Sequence, residues 1–226
     1  MTSILFQDFK ERSKEVSKYF IFLKNLEQGT IQLAMEGKAK AKIKEIDSEL
    51  IKTLKASAFL LLYNLIESTM RDAIEAIFDE LQSQGISFNK IRPELKKIVL
   101  ENLKNKSSSE VYHIIVDISL DIIKVGFDRK KLFSGNIDAK QIKKTADKYG
   151  FSADTKTDSS DLLTVKTNRN DLAHGIKSFA EVGKEKSADE LIKIKNNVVK
   201  YLRQILENIE TYLTNQEYLD SSTNTP

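Results

Sequence analysis

The chain has 226 residues, of which 40% are hydrophobic and 31% charged, a composition able to bury a core, and no stretch approaches the roughly 18–20 apolar residues of a membrane span. It has no cysteine and only two histidines, His113 and His174, which excludes disulfides and an ordinary zinc site, so any metal chemistry would rest on carboxylates. A net charge of +3 and a pI of about 8.8 permit a polyanionic partner without demanding one. Met1 to Phe9 lacks the basic flank, apolar run and small-residue cleavage site of a secretory signal, so a cytoplasmic protein with no membrane partner is expected.

With two prolines, eight glycines and apolar residues recurring every three or four positions, the chain predicts an all-α fold. Its length favours one domain over residues 1–226, with a core of about 48–214 and additional helices. A first helix is expected from about Ser3 to Asn25, with Leu5, Phe9, Val16, Phe20 and Leu23 inward and Gly29 beyond its end. The alternating lysines between Thr30 and Asp47 suit an extended segment as well as a helix, and a short hairpin fits there. Ser48 suits the N-cap of a long central helix ending near Gln84 and Gly85. Within it Phe59, Leu60, Leu61, Leu62, Leu65 and Ile66 are apolar around most of the circumference, which predicts a helix covered on several sides.

Pro93 suits the first position of a helix through about Leu103, and serines 107–109 precede another with a stripe from Val111 to Val125 that carries a structural His113. Asp138 and Gln141 fit a capping box for a helix stopping at Tyr149 before Gly150, followed by a polar loop from Phe151 to Ser160. A further helix is expected from about Asp161 to Phe179, and a last one from Ser187, with Glu190 in the capping-box position, to about Thr214. Residues 217–226 read as a flexible tail. Two lysine-rich or arginine-rich clusters, Lys38 to Lys44 and Arg129 to Lys131, are either phosphate-binding surfaces or plain solvated charge.

The helix from Asp161 carries the chemistry. Leu162, Val165, Arg169, Leu172, Ile176 and Phe179 follow the three-four spacing of a buried seam, which puts Arg169 in an apolar slot. A guanidinium does not deprotonate to escape burial, so it must be paired there or border a wet, anion-binding cavity. Asn170 and His174, four apart, are neighbours on an adjacent face, whereas Arg169 and His174, five apart, diverge by roughly 140°. A second copy related by a two-fold axis is the simplest way to bring the two chemistries together. On spacing alone another reading stands equally open: His174-Gly175 is an ordinary helix end, and Arg169 bridges to a core carboxylate such as Glu67.

The run Asn168-Arg169-Asn170-Asp171-Leu172-Ala173-His174-Gly175 resembles the R-x4-6-H signature of HEPN domains, in which a polar residue such as Asn170 typically follows the arginine. The segment Tyr63 to Arg71, the stretch Phe133 to Asp138 and Tyr149-Gly150 resemble a stand-alone HEPN branch of prokaryotic defence and toxin loci. The likeness covers roughly residues 50–214. It implies a HEPN-like helical bundle that forms a homodimer, with two motifs meeting in a composite active site and RNA cut without metal or other cofactor. The roles it implies are His174 as the base for a ribose 2′-hydroxyl, Arg169 as the group that stabilises charge on the phosphate, and Asn170 as a group orienting either the imidazole or the phosphate. Asp171 and Glu67 are weaker, supporting candidates.

HEPN toxins modified by a nucleotidyltransferase partner carry a tyrosine two residues after the histidine; this chain has Ile176, so that form of control is not expected. A cognate antitoxin or a second HEPN protein remains an expected partner. Three readings follow: a ribonuclease of a toxin–antitoxin or abortive-infection system, a non-catalytic HEPN module binding RNA, a nucleotide or a partner HEPN chain, and a structural helical adaptor.

Overall fold

The computed structural model describes residues 4–35, 42–44, 46–104, 107, 127, 129, 132–133 and 135–221. The expected helix bearing Val111 and His113 falls outside the described residues. The fold is all-α, with α1 (Ile4–Glu27), α2 (Ser48–Ser83), α3 (Pro93–Lys104), α4 (Ala139–Tyr149), α5 (Ser160–Ala173), α6 (Phe179–Lys184) and α7 (Ala188–Thr214) among the described residues. No described helix is long and apolar enough to cross a membrane. Among the described residues there is also a ribbon of two antiparallel strands, β1 (Leu33–Met35) and β2 (Lys42–Lys44), which pairs Ala34 with Ile43 where the sequence left room for a hairpin.

The chain divides into two compact units, one of residues 1–66 and 156–202, the other of residues 67–155 and 203–226. In the first, Phe9, Val16, Phe20 and Leu23 of α1 are buried at helical spacing, with Leu26 added one turn on. Ala56, Phe59, Leu62, Tyr63 and Ile66 of α2 and Leu162 and Val165 of α5 are buried in the same unit, as are Leu191 and Val198 of α7. Glu27 fastens three helices of the unit: its Oε1 accepts from Lys55 Nζ at 2.8 Å and its Oε2 from the Ala188 amide at 2.6 Å, at the start of α7. A carboxylate there satisfies an otherwise orphaned N–H at the positive end of the helix. The start of α2 shifts by one residue from expectation, because Asp47 rather than Ser48 caps it, with Oδ1 accepting from Glu49 N at 3.2 Å.

In the second unit, Met70, Ala73, Ile74, Ile77, Phe78 and Leu81 of α2 are fully buried, together with Leu95 and Val99 of α3 and Ile142 of α4. At α4 Asp138 accepts from Gln141 N at 2.8 Å, the first half of the expected capping box, and Gly150 takes the expected left-handed conformation. Tyr149 meets Phe78 edge to face, and its carbonyl accepts the Tyr212 hydroxyl at 2.9 Å.

Of the expected flexible tail, residues 217–221 are docked, and residues 222–226 lie outside the described residues. Tyr218 is fully buried, Leu219 pairs with Ile91 in an antiparallel bridge, and Arg92 N donates to Tyr218 O at 2.8 Å while Asp220 N donates to Lys90 O at 2.9 Å. Tertiary backbone pairing holds a segment whose local sequence signals only a chain end. The Tyr218 hydroxyl is buried and meets no hydrogen-bond partner among the described residues. Tyr218→Phe is therefore expected to unfold in urea within about 1 kcal/mol of wild type, whereas Tyr218→Ala should lose about 3–5 kcal/mol. Equal midpoints for the alanine variant and wild type would show that the segment does not dock in solution.

Candidate functional site

Helix α5 buries Leu162, Val165 and Leu172, as its spacing indicated, and also Asn168, whose Nδ2 donates to the Thr164 carbonyl one turn back at 2.9 Å. Arg169 is half-buried, and its guanidinium carbon lies over the ring of Tyr63, 4.4 Å from the centroid. Its Nη1 donates to Asn170 Oδ1 at 2.9 Å, so Asn170 holds the arginine rather than the imidazole. Tyr63 is only 4% exposed. The sequence had placed it in the resembling segment of α2 without giving it a role, and its lone hydroxyl amid an apolar run was the available signal.

The buried seam does not run on to Phe179. Ile176 is 68% and Phe179 37% exposed, and α5 ends at Ala173. The cause lies in the backbone. His174 is the C-cap, Gly175 follows with a φ of +66°, and the amides of Gly175 and Ile176 donate to the carbonyls of Leu172 at 3.3 Å and Asp171 at 2.8 Å. This is the two-bond closure that a left-handed residue after a helix allows. A new helix, α6, then starts from a capping box in which Ser178 Oγ accepts from Glu181 N at 3.2 Å and Ser178 N donates to Glu181 Oε2 at 2.7 Å. Ser178 and Glu181 carry the three-residue spacing of that motif, a signal the period of the apolar residues concealed.

His174 is thus exposed at a helix end, while Arg169 lies half-buried one and a half turns before it; their surroundings are different. Asp171 serves the loop: it pairs with Lys177 Nζ at 3.3 Å, and Lys177 reaches Glu185 at 3.0 Å. Those hydrogen bonds, to Glu185 first and then Asp171, raise the Lys177 ammonium above its ordinary pKa. A raised lysine contributes in full below the ordinary lysine value and loses that contribution only as pH climbs through the raised one, so the fastening holds at neutral pH. The Ser178 amide and hydroxyl lower the Glu181 carboxylate, whose contribution is present above the ordinary value and fades as pH falls through the lowered one.

Glu67 accepts from Arg71 at both Nε (3.2 Å) and Nη2 (2.6 Å), within its own helix. Arg129, one of the cluster weighed as a phosphate surface, pairs with Asp72 and Glu75. Among the described residues no three carboxylates or imidazoles gather as a metal ion requires.

Gly175 is the hinge of this geometry. Open space surrounds it, so Gly175→Ala meets only the left-handed backbone penalty, about 1–2 kcal/mol, and should speed amide exchange at Ile176 and Lys177. Unchanged stability and exchange would mean that α5 closes in another way.

Compared with known proteins, the chain matches the family described as MAE_28990-like HEPN over residues 1–218. No curated protein and no solved structure matches it. The family match takes in α1, the whole run from Asn168 to Gly175 and the docked Tyr218, a wider span than the resemblance in sequence had indicated. On that match and its all-α fold, the chain belongs to the HEPN family.

Proposed function

We propose that this HEPN chain is a metal-independent endoribonuclease of a toxin–antitoxin or abortive-infection system, with Arg169 and His174 as its catalytic residues. The observation that carries the reading is the state of Arg169, a permanent cation half-buried on an aromatic ring and tied to Asn170. Such a guanidinium is preorganised for a phosphate rather than dispersed in solvent. His174, exposed on the same segment, is accessible to a ribose.

In the reaction, His174 accepts the proton of a 2′-hydroxyl, the 2′-oxygen attacks the adjacent phosphorus, and the 5′-oxygen leaves and takes up a proton. Arg169 stabilises the charge that builds on the non-bridging oxygens. The products are a 2′,3′-cyclic phosphate and a 5′-hydroxyl. Dependence on the 2′-hydroxyl confines cutting to RNA, and unpaired segments are favoured because their sugars can be splayed. A homodimer completes the site, since HEPN domains commonly dimerise and bind RNA; the exposed Leu163, Ile176 and Phe179 on and after α5 offer apolar surface for a second copy.

A second reading, a non-catalytic HEPN module that holds RNA or a partner HEPN chain, draws on His174 acting as a helix cap through its backbone alone. Incubation with total RNA in EDTA separates the two. Wild type is expected to cut, and His174→Ala should lose about 10²–10⁴-fold in rate while still binding RNA. Arg169→Ala should lose cleavage and affinity together, and Arg169→Lys should rescue little, because a point charge does not reproduce the planar fork. Each variant must melt near wild type. Cleavage at the wild-type rate by a folded, dimeric His174→Ala protein would overturn the nuclease reading in favour of the binding one.

A further inference from the structure

We infer that Tyr63 is a positioning residue for the proposed reaction, an aromatic shelf that sets the tilt of the Arg169 guanidinium while Asn170 sets its rotation within the plane. The inference rests on the ribonuclease reading and adds a residue on a different helix, α2, to a motif that lies on the last turns of α5 and the cap that follows them. Three observations support it. The Tyr63 ring is 4% exposed within the packed run of α2, so it is fixed by its neighbours. The guanidinium carbon sits 4.4 Å from the ring centroid, well inside cation–π range. An in-plane bond from Nη1 to Asn170 Oδ1 at 2.9 Å supplies the second restraint.

The division of labour follows from the chemistry of the group. Contact through the guanidinium carbon uses no N–H donor, because all five lie in the plane. Arginine is a long side chain with many rotamers, and a transition state is served only by one orientation, so restraint set before substrate arrives lowers the cost of the step itself.

The test uses the full chain with labelled arginine. Ring current should move the Arg169 δ-methylene and Nε–H resonances upfield in wild type and in Tyr63→Phe, and Tyr63→Leu should return them to ordinary positions. In RNA cleavage Tyr63→Leu should lose about 3- to 30-fold, mostly in kcat, with its melting point near wild type. Tyr63→Phe, which keeps the ring face, should stay within about threefold of wild type. The inference is overturned if wild-type Arg169 shows no upfield shift, if a folded Tyr63→Leu protein cuts at the wild-type rate, or if Tyr63→Phe loses as much as Tyr63→Leu. Should Tyr63→Leu fail to fold, the wild-type resonance and the Tyr63→Phe rate still decide. If wild type cuts no RNA, the ribonuclease reading falls, and the resonances alone then decide whether the ring holds Arg169.

Discussion

A helix that is apolar around most of its circumference must be covered on most of its circumference, and α2 imposes that condition on the rest of the chain. It is 36 residues long, about 54 Å at 1.5 Å per residue, and from Ala56 to Phe78 a pair of buried positions recurs at every turn while Leu60 and Leu61 between them are partly covered. Each large side chain removed from water there contributes on the order of 1.5–3 kcal/mol, so the other helices are drawn to it. Rigidity is the by-product that matters for the site. Tyr63 sits inside this run, so the platform under Arg169 inherits the immobility of the core rather than the mobility of a surface side chain.

What surrounds that platform is governed by helix ends. Between Ala173 and Ala188 the chain ends α5, makes and ends α6, and begins α7, and apart from the Glu27 carboxylate on the Ala188 amide the devices are local: a left-handed glycine, two serine–glutamate capping boxes and the Lys177 fastening between Asp171 and Glu185. Short-range bonds of this kind fix a chain direction within a few residues without needing a core of their own. They leave His174 in solvent while the first three turns of the same helix stay packed.

The elements most legible in the sequence were those whose boundaries are written in local chemistry. Pro93 opens α3, Asp138 and Gly150 bracket α4, and Ser187 with Glu190 opens α7, each because a specific backbone donor or dihedral demanded that residue type. Periodicity misled at α5, where Ile176 and Phe179 continue the apolar rhythm past Gly175 although the backbone has already turned. The apolar slot of Arg169 was readable, but not its occupant beneath, because Tyr63 meets it only through tertiary packing. Burial of Tyr218 was hidden for the same reason: its pairing partners, Ile91 and Arg92, lie on a distant stretch of chain. His174, marked by resemblance to a motif, is placed at a helix end that its own neighbour Gly175 announces.

Both compact units are built from two separated stretches of chain, and this bears on when the fold can be completed during synthesis. Tyr63 leaves the ribosome about a hundred residues ahead of Arg169, an interval of roughly 5–20 s at ordinary translation rates. Throughout it the apolar faces of α2 await α5 and α7, which makes the nascent segment a natural client for chaperones that shield hydrophobic surface. The arginine reaches its ring only when the last helices are being made. A chain interrupted before that point lacks α5 and α7 and, with them, the Arg169–Tyr63 arrangement, so discontinuity in sequence delays the completed fold until the end of translation.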